Sequence, residues 1–351
     1  MTDDTFSVGH PFYFPTQVIL LDDDPDFLEG VSLMLNKCLS FKIFQSAQQA
    51  LEYVNNAHKN VHIQERCYSN YKTGPLESDS LTHIDIDKLH LEVLNGSRFQ
   101  TASTVIVDYS MPEMNGLEFL LQLNNPFIKK VLLAGQVDKE LVIKAFNNQL
   151  IDQFIDKHDP KLRLKLNSVI ESFQDQYFKS SFKLISDPII ANNRDGFLVD
   201  KPFQDFFSSF RKKYNYVEYY MIDTPTTGFL VIDDKGKASN LLIYTEEVLS
   251  AHIATLKELN APSALIQSVT AKELLPGFSL DDSLAKENLI KNQDKINDWG
   301  THYHPAIHFR NNFNYFLTLT PADQLANSET KLITTYSDFL EDNLTKSEIL
   351  H

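Results

Sequence analysis

Short apolar runs alternate with helical patterns from residue 18 onward. Val18-Ile19-Leu20-Leu21 is a continuous run, the signature of a strand buried on both faces of a parallel sheet. It stops at Asp22-Asp23-Asp24-Pro25. Phe27, Val31, Met34, Leu35 and Leu39 then recur at helical spacing. Lys42–Phe44 predicts a short strand, and Ala47, Ala50, Leu51 and Val54 a second helix. A second buried strand, Thr104–Val107, ends at Asp108. Beyond it the pattern predicts a helix over Leu117–Leu123, a strand over Val131–Ala134, a helix over Lys139–Asn148 and a strand over Gln153–Ile155. A helix over 161–178, with Leu162, Leu166, Val169, Ile170 and Phe173 on one face, closes the series. Five strands alternating with helices imply a parallel sheet covered on both sides and wound right-handed.

The second half has a different rhythm. Residues 181–201, with Pro188, Asn192, Asn193, Asp195 and Gly196, read as a polar connection. A Phe-rich amphipathic helix follows over 203–214, then strand-like runs at Val217–Ile222, Gly228–Ile232 and Asn240–Tyr244. Helical patterns cover 246–260 and 263–274, strands are expected at Tyr303–Phe309 and Tyr315–Thr320, and a helix near 331–344. This is the pattern of an α+β domain with an antiparallel sheet.

Composition narrows the class. With 42% hydrophobic and 11% aromatic residues, the 351-residue chain has enough apolar material for a core in each half. The net charge of −15 is shared: residues 1–180 hold 16 Lys and Arg against 24 Asp and Glu, and residues 181–351 hold 16 against 23. Nucleic-acid binding draws its sequence-independent affinity from cations that neutralise phosphates, so an acidic second half disfavours it. Arg211-Lys212-Lys213 is the only tight basic cluster there and reads as the wet face of a helix. Two cysteines, Cys38 and Cys67, make no disulfide framework and fit a reducing compartment. The acidic N-terminus lacks the apolar core of a signal peptide, and no apolar run approaches the roughly 18 residues of a spanning helix. A cytoplasmic protein without membrane insertion is expected.

In open parallel sheets, ligands gather at the carboxyl ends of the strands, near the point where strand order reverses. Asp22 and Asp23 follow the first strand, Asp108 the third, Ala134 the fourth and Lys157 the fifth. Carboxylates converging on one edge repel unless a cation holds them, and a hard dication such as Mg²⁺ prefers oxygen ligands. An Asp carboxylate can then act as a nucleophile toward a phosphoryl group, with a lysine as compact positive charge for its oxygens. The bland alternative is that Asp-Asp-Asp-Pro merely caps a helix. Far more specific is Val105-Ile106-Val107-Asp108-Tyr109-Ser110-Met111-Pro112-Glu113-Met114-Asn115-Gly116. It is an acid at the end of a buried strand, then a Pro-stiffened turn, then a Gly that permits tight geometry.

Over residues 17–180 the sequence resembles the receiver domains of two-component response regulators. The resemblance rests on the acidic pair, on Asp108 with its Met-Pro-x-Met-Asn-Gly tail, on the small residue and Gly after strand four, and on Phe154-Ile155-Asp156-Lys157. It implies a flavodoxin-like (CheY-like), doubly wound, five-stranded parallel sheet. Asp108 would be the phosphoacceptor, Asp22 and Asp23 metal-holding acids, the Ser110 backbone carbonyl a further Mg²⁺ ligand, and Lys157 the phosphoryl-sensing lysine. The triple Asp leaves the register open by one residue, and the apolar run ending at Leu21 favours 22 and 23. A sensor histidine kinase or phosphotransfer protein would be the donor, and a phosphorylation-dependent homodimer the expected product. The receiver would catalyse only its own phosphoryl uptake and loss.

Three features depart from that pattern. Ala134 stands where the family usually has Ser or Thr, and Phe154 at the switch aromatic position lacks a phenol hydroxyl, so uptake is expected with altered coupling to output. A receiver that never switches is the rival. Asp23 and Asp108 lie 85 positions apart, about 40 more than the intervening units need, which places an insertion at about 56–103. The extension 1–16 carries Pro11-Phe12-Tyr13-Phe14-Pro15, expected to pack on the receiver or on a partner subunit. The expected organisation is therefore extension 1–16, receiver 17–180, linker 181–201 and output domain 202–351.

No helix-turn-helix, phosphate loop, cyclase, phosphodiesterase or kinase pattern is found in the second half. His302, His304 and His308 share one face of a strand, but solvated histidines are the better reading than a metal site. The acidic output, insertion and extension together resemble quorum-sensing response regulators. That resemblance implies work downstream of membrane sensor kinases reading an α-hydroxyketone signal. An output domain that binds or turns over a nucleotide or other small ligand is the second hypothesis, and a DNA-binding regulator the third.

Overall fold

The computed structural model describes residues 9–57, 63–72, 80–135, 139–192, 196–223, 226–278, 302–307, 315–322 and 333–347. His308 and parts of the extension, insertion and expected terminal helix lie outside them. The chain divides into two compact units, each assembled from separate segments. One holds 14–65, 95–186 and 336–351; the other holds 1–13, 66–94 and 187–335.

The first unit contains a five-stranded, all-parallel sheet. Its strands are β2 (Gln17–Leu21), β3 (Phe41–Phe44), β6 (Ala102–Asp108), β7 (Lys129–Ala134) and β8 (Gln153–Asp156). Their order is β3-β2-β6-β7-β8, so β2 is the point where winding reverses. The connecting helices are α1 (Pro25–Met34), α2 (Ala47–Ala57), α4 (Gly116–Leu121), α5 (Lys139–Asn147) and α6 (Leu162–Ser181). Alternation along the strands sorts the core. Val18, Leu20, Ile106, Val131, Leu133 and Ile155 pack with Leu28, Val31, Leu166 and Ile170 of α1 and α6. Ile19, Leu21, Val105, Val107 and Leu132 are equally buried and point to the opposite face.

A C-terminal helix, α11 (Tyr336–Ser347), belongs to this same unit. The Tyr336 hydroxyl donates to the Cys38 carbonyl at 2.8 Å and accepts from the Ser40 amide at 3.0 Å. Its ring meets Phe99 with centroids 5.2 Å apart. Among the described residues the last helix thus starts at 336, not at 331.

The second unit is built on a seven-stranded sheet of order β1-β9-β10-β11-β14-β13-β12, in which every pairing is antiparallel. The strands are β1 (Phe12–Tyr13), β9 (Tyr216–Ile222), β10 (Gly228–Asp233), β11 (Ala238–Thr245), β12 (Leu274–Pro276), β13 (Tyr303–Ile307) and β14 (Tyr315–Pro321). Helices α8 (Lys201–Tyr214), α9 (Glu246–Glu258) and α10 (Ser263–Thr270) accompany them. The Phe-rich face of α8 buries Phe203, Phe206, Phe207 and Phe210, and Phe207 stacks on Phe229 at 4.6 Å. From the 66–94 segment come a hairpin of β4 (Tyr68–Lys72) and β5 (Ser80–Ile84) and a 3-10 segment, Ile86–Leu94, packed on β9. The short helix α3 (Ile63–Cys67) precedes the hairpin.

Several local expectations change. The 181–201 stretch is mostly helical: α7 (Lys183–Asn192) runs through it with Pro188 inside. Buried Phe182, Ile185 and Ile189 recur at helical spacing, and their burial outweighs the turn signals of the Pro and Asn residues. The helix expected over 263–274 stops at Thr270, because Lys272 adopts φ 59° and Leu274–Pro276 pairs as β12 with β13. The N-terminal extension divides its allegiance. Phe12 and Tyr13 pair with Tyr220 and Tyr219 at the edge of the antiparallel sheet, whereas Phe14 packs edge-on against Phe178 of α6 at 5.0 Å. Arg211, read from sequence as part of a solvated face, sits over the rings of Tyr13 and Tyr219 at 4.8 and 4.4 Å.

Candidate functional site: an acidic cluster at the parallel sheet edge

Asp22 follows β2, Asp108 ends β6 and Lys157 follows β8, so three different strands deliver them to the same end of the sheet. Lys157 Nζ lies 2.6 Å from Asp22 Oδ2 and 2.8 Å from Asp108 Oδ1, bridging the two carboxylates. Asp22 and Asp108 are buried and Asp23 is exposed, yet ligand oxygens of all three lie within 4.8 Å of one another. Asp24 is drawn away from the cluster. Its carboxylate accepts from the amides of Asp26 and Phe27, capping α1, with Pro25 at the first turn. That division of labour separates the acid runs: two at the site, one at the helix.

Burial pushes the Asp22 carboxyl upward, outweighing the lowering by its contacts with Lys157 and the Asp24 amide. For Lys157, burial alone would lower the ammonium, but its bonds to Asp108 and Asp22 win and hold it above the usual lysine value. The lysine therefore stays charged. Its ammonium also lies 4.3 Å from the ring centroid of Phe27, which covers it from the first turn of α1. In the sequence Phe27 reads only as part of the apolar stripe of that helix, with no local signal for this contact.

The loop after Asp108 is tightly specified. The Ser110 amide donates to Asp108 Oδ2 at 2.9 Å, and the Gly116 amide to the Tyr109 carbonyl at 3.0 Å. Asn115 and Glu118 form a reciprocal capping box that starts α4. A Cβ on Gly116 would stand 2.3 Å from the Asp108 carbonyl oxygen, so the glycine is needed for close approach of backbone to backbone. Ala134 is buried at the end of β7 and offers no hydroxyl, and its carbonyl accepts the Lys157 amide at 3.1 Å. Phe154 is half-buried on β8, one residue before core residue Ile155.

The donor set suits a hard dication. Every ligand atom is oxygen, and the buried Asp22 Oδ2 makes no well-directed hydrogen bond besides its ion pair with Lys157. Ser110 sits against the Asp108 carboxylate through its amide, which keeps its backbone at the cluster. Among the described residues no comparable group of three ligands involves His302 or His304. Those two flank buried Tyr303, whose hydroxyl is 2.8 Å from His252 Nε2.

The solved structure of the Legionella pneumophila response regulator LqsR is similar over 96% of this chain and 96% of its own length, at 29% identity and a TM-score of 0.71. This chain is a response regulator by fold. Its parallel unit is the receiver, and its antiparallel sheet is the additional domain. A CheY-like receiver domain protein from Methanospirillum hungatei JF-1 matches 47% of this chain and 98% of its own, at 16% identity and a TM-score of 0.32. The signal receiver domain of the NarL regulator from Mycobacterium tuberculosis matches 46% and 98%, at 17% identity and a TM-score of 0.29. No family model matches the chain, and neither does any curated protein. No helix among the described residues is long and apolar enough to cross a membrane.

Proposed function

We propose that Asp108 accepts a phosphoryl group from a sensor histidine kinase or phosphotransfer protein, and that the chain passes this signal on by dimerising or binding a partner. The observation that carries the reading is Lys157 Nζ at 2.6 Å from Asp22 and 2.8 Å from Asp108, with Asp23 beside them. An Asp108 carboxylate oxygen attacks phosphorus, a bond from oxygen to phosphorus forms, and the donor's bond to phosphorus breaks. The leaving imidazole of a phosphohistidine donor departs with the electron pair. Lys157 holds Asp108 in place and presents charge to the phosphoryl oxygens. Asp22, Asp23, Asp108 and the Ser110 carbonyl would hold Mg²⁺, which when bound offsets the negative charge of the acids and phosphoryl oxygens.

Exposed apolar residues support the dimerisation step. Ile143 and Phe146, one helical step apart on α5, are 58% and 56% exposed. With α6 they outline a face for self-association. The likeness to LqsR, together with the acidic output half, favours a role in quorum sensing without DNA contact.

The test is incubation of the full chain with acetyl phosphate and Mg²⁺, followed by intact mass. One added phosphoryl group is expected, absent in Asp108→Asn and reduced when the metal is chelated. An adduct that persists in Asp108→Asn would refute the assignment. Size-exclusion before and after uptake reads the dimer, and an unchanged elution volume would remove that part.

A further inference from the structure

The acceptor loop and the segment after it are tied by side-chain hydrogen bonds to both ends of helix α2. Glu113 stands five residues beyond Asp108, at the apex of a loop held at Asp108 by Ser110 and closed by the Gly116 amide on Tyr109. Its carboxylate accepts from Ser46 Oγ at 3.2 Å through both oxygens and from the Gln48 amide at 3.5 Å. Ser46 and Gln48 frame the N-terminus of α2, where exposed amides and the helix dipole favour an anion. At the other end of α2, Asn55 donates to the Gln122 carbonyl at 3.1 Å and accepts from the Asn124 amide at 2.9 Å. Gln122 and Asn124 directly follow α4, whose start is fixed by the same loop. The helix is therefore held at both ends by the segment that carries Asp108. The chain leaving α2 continues into residues 66–94, which belong to the antiparallel unit.

On the other side of the site, Ala134 can neither donate to a phosphoryl oxygen nor be drawn in by one. We propose that phosphorylation of Asp108 is relayed through Glu113 and Asn55 to α2, and from there along the chain to the 66–94 segment. This rests on the phosphoacceptor reading above. A charge arriving on Asp108 shifts the loop, and the Glu113 carboxylate carries that shift to the helix it caps. Glu113 and Asn55 touch no reacting atom; they are positioning residues.

Hydrogen exchange of the full chain, with and without acetyl phosphate and Mg²⁺, tests the relay, with intact mass read in parallel. In the wild type, peptides from α2 and from 66–94 should change their exchange on phosphoryl uptake. In Glu113→Ala and Asn55→Ala the adduct should form as before while that change is lost. A purely structural role would alter basal exchange of α2 and leave the phosphorylation-dependent difference intact. A response confined to α5, or a Glu113→Ala protein whose α2 responds as the wild type does, overturns the relay. A wild type that gains no phosphoryl mass overturns the acceptor reading and the relay together, and the mass distinguishes that case from the others.

Discussion

The two units place their buried acids in different settings. In the receiver, buried Asp22 and Asp108 face a single cation from outside their own strands, at the open end of a parallel sheet. In the antiparallel unit, polar side chains are consumed internally. Glu92 is fully buried and ion-paired with Arg66, Tyr220 donates to buried Glu218 at 2.9 Å, and His252 meets Tyr303. Parallel strands end together, so acids at their ends converge, and here Lys157 from the end of a third strand bridges them. An antiparallel meander returns each strand beside its neighbour, which lets opposite or complementary groups pair within the core.

Substitutions can break this contrast, beginning with the most severe. Asp108→Asn should abolish phosphoryl uptake by intact mass while leaving the melting temperature of the unphosphorylated chain nearly unchanged. In the antiparallel unit, Glu92→Ala leaves Arg66 without its buried partner and should cost about 3–5 kcal/mol in urea unfolding. A loss below half that range would mean that water already serves the pair.

The third test uses pH. Burial pushes the His252 imidazole down to about 4, below the usual histidine value of 6.5. The folded state therefore holds the neutral ring, whereas the unfolded chain takes up a proton below about pH 6.5. Stability contributed by the neutral ring is complete above that value and is lost as pH falls toward 4. The loss amounts to at most about 3 kcal/mol. Urea unfolding at a series of pH values should show this slope, and His252→Gln should flatten it.

Gly116→Ala forces a Cβ against the Asp108 carbonyl oxygen and should lower stability by about 1–3 kcal/mol. It should also slow phosphoryl uptake, because the loop holding Asp108 has to move. Tyr336→Phe removes two hydrogen bonds and keeps the ring packing, so about 1–2 kcal/mol is expected from the change in melting temperature.

The receiver was largely legible in the sequence because its signals are local and redundant. Val18–Leu21 and Thr104–Val107 are long apolar runs, each ends in acid, and the Asp108 loop carries its own turn chemistry. Lys157 could be placed because a short apolar strand precedes it directly. What escaped was non-local. Nothing near Phe27 announces that its ring will cover a lysine 130 positions away. Glu113 fills a variable place in a motif, and its importance appears only when Ser46 and Gln48 arrive beside it. In the antiparallel unit, strand identities were readable from alternation, but the edge pairing of Phe12–Tyr13 with β9 joins residues about 200 positions apart. The helix through Pro188 is masked in the sequence by the turn signals of Pro188, Asn192 and Asn193, although Phe182, Ile185 and Ile189 keep helical spacing.

Because each unit draws on three separate stretches of polypeptide, its assembly has a clock. A ribosome delivers Phe12 and Tyr13 long before the strand they join, and it delivers Tyr336 long after the sheet that this side chain braces. Neither half can take its final form until its last stretch has been made, residues 315–321 for the antiparallel sheet and Tyr336 onward for the parallel unit. A single cut between the units therefore cannot separate them, because each unit takes segments from both sides of the other in the chain.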